Sequence, residues 1–238
     1  MLDFKLIRYL AAAFTPDLNN FSSLKVANKV TSLMGQYVGD EPTILPTQQD
    51  LPPDVPRIIF SQPGNRWSLN ISTSRTNLFY QQKPFETNPD MPEKEFSTIA
   101  SVFFSEFGNV INSQIQRVAF VSERLSVQDD ALNYIQNKFC NVDQLQKGRA
   151  FSGSKSFEIH SLKTYPWEGF DINSWVRIKA QNIKAPEGEV KTAIVAINDL
   201  NTLSMDEAPE QKLAPDDVKR FFENISDELC KIVALYFD

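Results

Sequence analysis

The 238-residue chain has one histidine, two cysteines and eight glycines. A single histidine rules out a His–His metal pair, and two cysteines cannot by themselves close a structural zinc site. Glycine is too sparse, and wrongly spaced, for a Walker or Rossmann phosphate loop, so no cofactor motif is present. No run approaches the eighteen or so apolar residues that a membrane span needs. The stretch from Met1 to Ala13 carries Asp3, Lys5 and Arg8 among its apolar residues, unlike the unbroken core of a signal peptide. The expectation is a soluble, cytoplasmic protein with Cys140 and Cys230 reduced and buried on the apolar faces of helices. The formal charge of −6 and pI near 5.0 argue against nucleic-acid binding by bulk electrostatics.

Hydrophobic residues at 42% and charged residues at 23% are ordinary globular usage, and the length suffices for a large core. Leu2, Phe4, Leu6 and Tyr9 sit near alternate positions before Thr15-Pro16-Asp17, which predicts a strand closed by a turn. From Phe21 to Val38, Leu24, Ala27, Val30, Leu33, Met34 and Tyr37 recur at helical spacing. A proline-rich connector follows. Arg57 to Gln62, Trp67 to Thr73 and Thr76 to Gln81 are short β-rich runs that read as a meander. Glu93 to Ile111 then places Phe96, Ala100, Phe103, Phe104 and Phe107 on one helical stripe.

After Ser113 the same order returns. Gln116 to Arg124 reads as a strand and Val127 to Cys140 as a helix. Phe151 to Tyr165, Ile172 to Ile183 and Glu189 to Ile197 read as three strands. The closing helix, from Pro215, carries Val218, Phe221, Phe222, Ile225, Leu229 and Ile232 on one face. The predicted fold class is α+β, with two βαβββα halves, 1–114 and 115–238, forming antiparallel sheets with helices on one face. An internal duplication would explain the repeated order, and the sheets would be separate or joined. This order is similar to the duplicated saddle of TATA-binding proteins, an analogy of topology that carries no function.

Each candidate site has a plain alternative. His160, within Glu158-Ile159-His160-Ser161, reads as a polar strand residue rather than a catalytic base. Asp199, with Asp206 and Glu207 nearby, offers carboxylates for Mg²⁺ or acid–base work, yet acids after a strand also simply form turns. Lys147, Arg149 and Lys155 form a basic loop suited to phosphate or nucleic-acid contact, or a plain connector. Tyr165, Trp167 and Phe170 surround a hairpin turn, where exposed aromatics make a protein hot spot and inward ones a small satellite core. Trp67 and Trp175 read as core. The apolar stripe of the last helix suits an internal core or a homo-oligomer interface equally.

The segments Ile115-Gln116-Arg117-Val118, the apolar strand ending in Asn198-Asp199, Val218-x-x-Phe221-Phe222-x-x-Ile225, and the Arg57-to-Phe79 meander together resemble a sporadically distributed bacterial family of uncharacterised proteins defined by a numbered family model. The resemblance spans nearly the whole chain. It implies a gene of the kind carried on mobile or antiviral-defence islands, and it assigns no catalytic residue. The leading expectation is therefore a non-enzymatic protein-interaction module, an accessory or regulatory subunit docking a partner through its sheet or aromatic turn. A nucleotide or nucleic-acid binder using the sheet and Lys147, Arg149 and Lys155 is the alternative, and a metal-assisted hydrolase built on Asp199 is the third.

Overall fold

A computed structural model describes residues 2–16, 18, 22–45, 51–64, 66–83, 85, 91–148, 153–185, 187–204 and 206–237. The first half contains β1 (Lys5–Phe14), α1 (Ser23–Val38), β2 (Thr43–Ile44), β3 (Ile58–Ser61), β4 (Trp67–Ile71), β5 (Arg75–Gln81) and α2 (Glu93–Ile111). The second half contains β6 (Arg117–Val127), α3 (Ala131–Phe139), α4 (Val142–Lys147), β7 (Glu158–Trp167), β8 (Phe170–Lys184), β9 (Val190–Thr202) and α5 (Pro215–Phe237). The α+β fold class is as expected from the sequence. Of the two sheet arrangements left open, the joined one forms: a nine-stranded antiparallel sheet of order β2-β3-β4-β5-β1-β6-β9-β8-β7.

The seam between the halves is the antiparallel pair β1·β6, in which Phe14 faces Arg117 and Ala12 faces Ala119. With β2 set aside, the order reads alike from both ends, since β1 stands to β5, β4 and β3 as β6 stands to β9, β8 and β7. The first strand runs further than its alternation suggested. Its three consecutive alanines, Ala11 to Ala13, are all fully buried, small enough to lie at the centre of the sheet beneath larger neighbours on both faces. The helix expected over 127–140 is α3 alone, starting only at Ala131 because β6 runs on to Val127 and Asp130 accepts a hydrogen bond from the Asn133 amide at the helix start; α4, capped by Asn141, which accepts from the Gln144 amide, is a further helix beyond it.

One face of the sheet is covered. Tyr9 of β1, Trp67 of β4 and Phe120 of β6 converge on Phe96 of α2, with ring centroids 5.2–5.6 Å from it. Farther along, Phe104 of α2 stacks on Phe222 of α5 at 5.4 Å. The apolar stripe of α5 is thus filled by α2 and the sheet within one chain. The buried positions Glu93, Phe96, Ser97, Ala100, Ser101, Phe104 and Phe107 of α2 match Val218, Phe221, Phe222, Ile225, Ser226, Leu229 and Ile232 of α5 at a constant offset. Both helices therefore present the same stripe to the seam.

The thiols differ from expectation. Both are free, but Cys140 is half-buried and Cys230 is exposed. Cys230 follows the fully buried Leu229, so it sits one step off the apolar stripe. No helix among the described residues is long and apolar enough to cross a membrane.

Candidate open-face binding surface

The antiparallel register places the second face of the sheet residue by residue, because residues opposite one another share a face. One row runs Ile59, Asn70, Asn77, Ala12, Ala119, Asn201, Asn173, Thr164 from β3 to β7. The next row carries Phe79, Leu10, Val121, Asp199, Trp175 and Leu162. Leu10, Phe79, Val121 and Trp175 are half-buried although no helix among the described residues packs over them, and Leu162 is 50% exposed.

At one end of this patch Phe14 lies between two guanidiniums, those of Arg75 on β5 and Arg117 on β6. Their central carbons stand 4.8 and 4.9 Å from its ring centroid. The Arg75 guanidinium donates to Asn77 Oδ1 at 2.6 Å, and Arg117 to Asn201 Oδ1 at 2.7 Å. Asn201 in turn donates to Asp199 Oδ1 at 3.0 Å. Burial, and then the neighbouring Arg117 charge, lowers the Arg75 pKa, with Asp199 and Asp54 pulling the other way. Burial lowers that of Arg117 as well, with Asp199 and Glu207 pulling the other way. Among the described residues neither guanidinium has a carboxylate in ion-pair contact. Arg117 Nε is buried without a hydrogen-bond partner. Elsewhere on the face, Arg177 lies over Trp175 at 5.4 Å and Arg8 pairs with Glu123 at 2.8 Å.

Charge is unevenly shared between the faces. Lys5, Arg8, Arg75, Arg117, Arg177, Lys179 and Lys191 share the open side with Glu123, Glu158, Asp171 and Asp199. The face thus has more cations than carboxylates, on a chain whose net charge is −6. The sequence reading missed this surface. Its signal was the second set of alternate positions, Arg8-Leu10-Ala12-Phe14 and Arg117-Ala119-Val121, which register alone assembles.

The aromatic turn packs inward, as its satellite-core alternative required. Glu168 and Gly169 have φ of 49° and 82°, the pattern of a type I′ hairpin. This turns Trp167 and Phe170 onto Phe221 of α5, at 5.7 and 6.1 Å. Phe170 is only 8% exposed and lies beneath the Arg220 guanidinium. The Tyr165 hydroxyl donates to Glu228 Oε1 at 2.8 Å, and burial followed by that bond raises its pKa. Tyr165→Phe should therefore lower stability by about 1–2 kcal/mol, read as a shift in the urea midpoint without a change in slope. Trp175, expected in the core, instead lies on the open face beneath Arg177.

The remaining candidates are scattered. Lys147 is exposed at the end of α4, Arg149 lies outside the described residues, and Lys155 lines a depression with Asp129 and Asp130, whose charge disfavours phosphate. His160 is exposed and pairs with Glu158 at 2.8 Å. Glu207 is occupied by Asn173 and Ser204, and hydrogen bonds from both hold its carboxyl below the usual range. Asp206 is exposed. Among the described residues no three Asp, Glu, His or Cys side chains gather as a metal site.

Cavities also open on the helical side, among the described residues. One of about 620 Å³ opens at the seam between the halves, lined by Ser105, Asn109, Asn112, Gln114, Leu213 and Val218 among others, with no titratable side chain in its wall. A smaller one of about 210 Å³ is lined by Glu93, Arg124, Cys230, Val233 and Ala234. There Glu93 Oε2 meets Arg124 Nη2 at 2.5 Å, while Glu93 Oε1 is buried without a partner. Burial pushes the Glu93 carboxyl above the usual range against the pull of Arg124, and burial likewise weighs on Arg124, which Glu93 nevertheless keeps charged.

No family model matches the chain, and no curated protein matches it either.

Proposed function

We propose that this chain is a non-enzymatic protein-interaction module, an accessory or regulatory subunit that docks its partner on the open face of its sheet. The observation that carries this reading is the patch of Leu10, Phe79, Val121, Phe14 and Trp175, half-buried but uncovered by any helix and edged by Arg75, Arg117 and Arg177. Tryptophan, phenylalanine and arginine in one cluster is the composition of interface hot spots. The carboxylates of Asp199 and Glu207 support the same reading, being engaged by asparagine and serine rather than converging on a free point.

The halves are read in this proposal as two copies of one βαβββα unit. The like residues at matched places across the seam, Ala12 with Ala119, Asn77 with Asn201 and Asn70 with Asn173, support it. An optimal superposition of 1–114 on 115–238 that paired β1 with any strand but β6 would reject it.

Affinity capture from the native host tests the docking face. The wild-type chain and Val102→Arg, on the exposed outer side of α2, should retain the same protein in stoichiometric amount, and Val121→Arg should lose it. Retention unchanged by Val121→Arg, or no protein retained by the wild type, overturns the proposal.

A further inference from the structure

The geometry points to an acidic protein segment, with apolar side chains between its carboxylates, as the occupant of the open face, its acids received by Arg75 and Arg117 on either side of Phe14. This rests on the docking face proposed above. Two guanidiniums within 5 Å of one ring are half-buried, share a row of the sheet and have no ion-paired carboxylate among the described residues. Each holds one neutral amide oxygen instead, and Arg117 Nε is left without any partner. Holding two like charges at partial burial is unfavourable, and an incoming carboxylate relieves both the repulsion and the lost hydration.

Spacing narrows the ligand. The strands bearing Arg75 and Arg117 are separated by β1 alone, so their backbones stand about 10 Å apart. An extended chain advances roughly 3.3 Å per residue, so acids three residues apart would reach both arginines on a path across the strands. The side chains between them would meet Phe14, which lies in the same row as both arginines.

A nucleic acid fits less well. Glu123, Glu158 and Asp199 interrupt the cations of this face, its centre is apolar, and Lys155, the described basic-loop residue nearest the sheet, sits with Asp129 and Asp130 beside α3. The net charge of −6 opposes any polyanion at long range, so the choice between nucleic acid and an acidic segment rests on short-range pairing of two acids with the two arginines. A second copy of this chain shares that net charge.

The test pans a random dodecapeptide phage library against the immobilised full chain. Peptides with two or more Asp or Glu separated by apolar residues should be enriched. A synthetic copy of the leading sequence should bind the Arg75→Gln/Arg117→Gln variant at least about tenfold more weakly, with unchanged circular dichroism. Enriched peptides without acids that nonetheless require Val121 would overturn the acidic-segment inference while the docking face stood. Peptides indifferent to Val121→Arg and to the arginine pair, or no enrichment, would remove both. A poly-dT oligonucleotide bound through the two arginines would reassign the face to nucleic acid, and a dimer in light scattering broken by Arg75→Gln would reassign it to a second copy.

Discussion

Replacing Phe96 by alanine should cost about 3–5 kcal/mol, the range for deleting a large aromatic from a packed core. Phe96 is fully buried and contacts Tyr9, Trp67 and Phe120. Those rings come from β1, β4 and β6, so the side chain joins both halves across the seam. The loss should therefore appear as one shifted urea transition rather than as the melting of 1–114 alone. The β1·β6 ladder supports that expectation, because neither half keeps an intact sheet edge once the other unfolds. Two separated transitions in Phe96→Ala would mean that the halves are independent folding units joined only by strand pairing.

The order of elements was legible because each depends on local periodicity, which the stripes of α2 and α5 display over several turns. The limits of β1 were not. Ala11-Ala12-Ala13 carries no alternation, and only pairing with both β5 and β6 keeps it extended. The candidate surface was less legible still. Arg75, Phe14 and Arg117 are far apart in sequence and unremarkable singly, and they meet only because β1 is inserted between β5 and β6. The aromatic turn shows the opposite case. Trp167 and Phe170 flank the turn in sequence and meet in space, but the side they face is set by the I′ turn and by Phe221, some fifty residues downstream.

Replacing Arg124 by methionine should cost about 3–5 kcal/mol, because it strands the Glu93 carboxylate inside the fold. Glu93 has a side chain only 8% exposed, and Arg124 also donates to the Tyr9 hydroxyl and, through Nε, to Ser122 Oγ. The pair ties the first turn of α2 to β6. Glu93→Leu combined with Arg124→Met should regain most of the loss and lie within about 1 kcal/mol of wild type, since apolar replacement removes both desolvation costs together. The pH dependence has a definite sign. The Glu93 carboxyl titrates higher in the folded chain than its ordinary 4.5, so the stability tied to its neutral form is present below that value and lost as pH rises through the folded pKa. Arg124 is the influence that opposes this rise, and removing it moves the folded pKa further up. The deficit of Arg124→Met relative to wild type should accordingly shrink as the pH of the urea titration is lowered from about 7 to about 5. A deficit independent of pH, or a double variant no better than Arg124→Met, would show that packing around the arginine stem, rather than an uncompensated buried charge, is what the substitution removes.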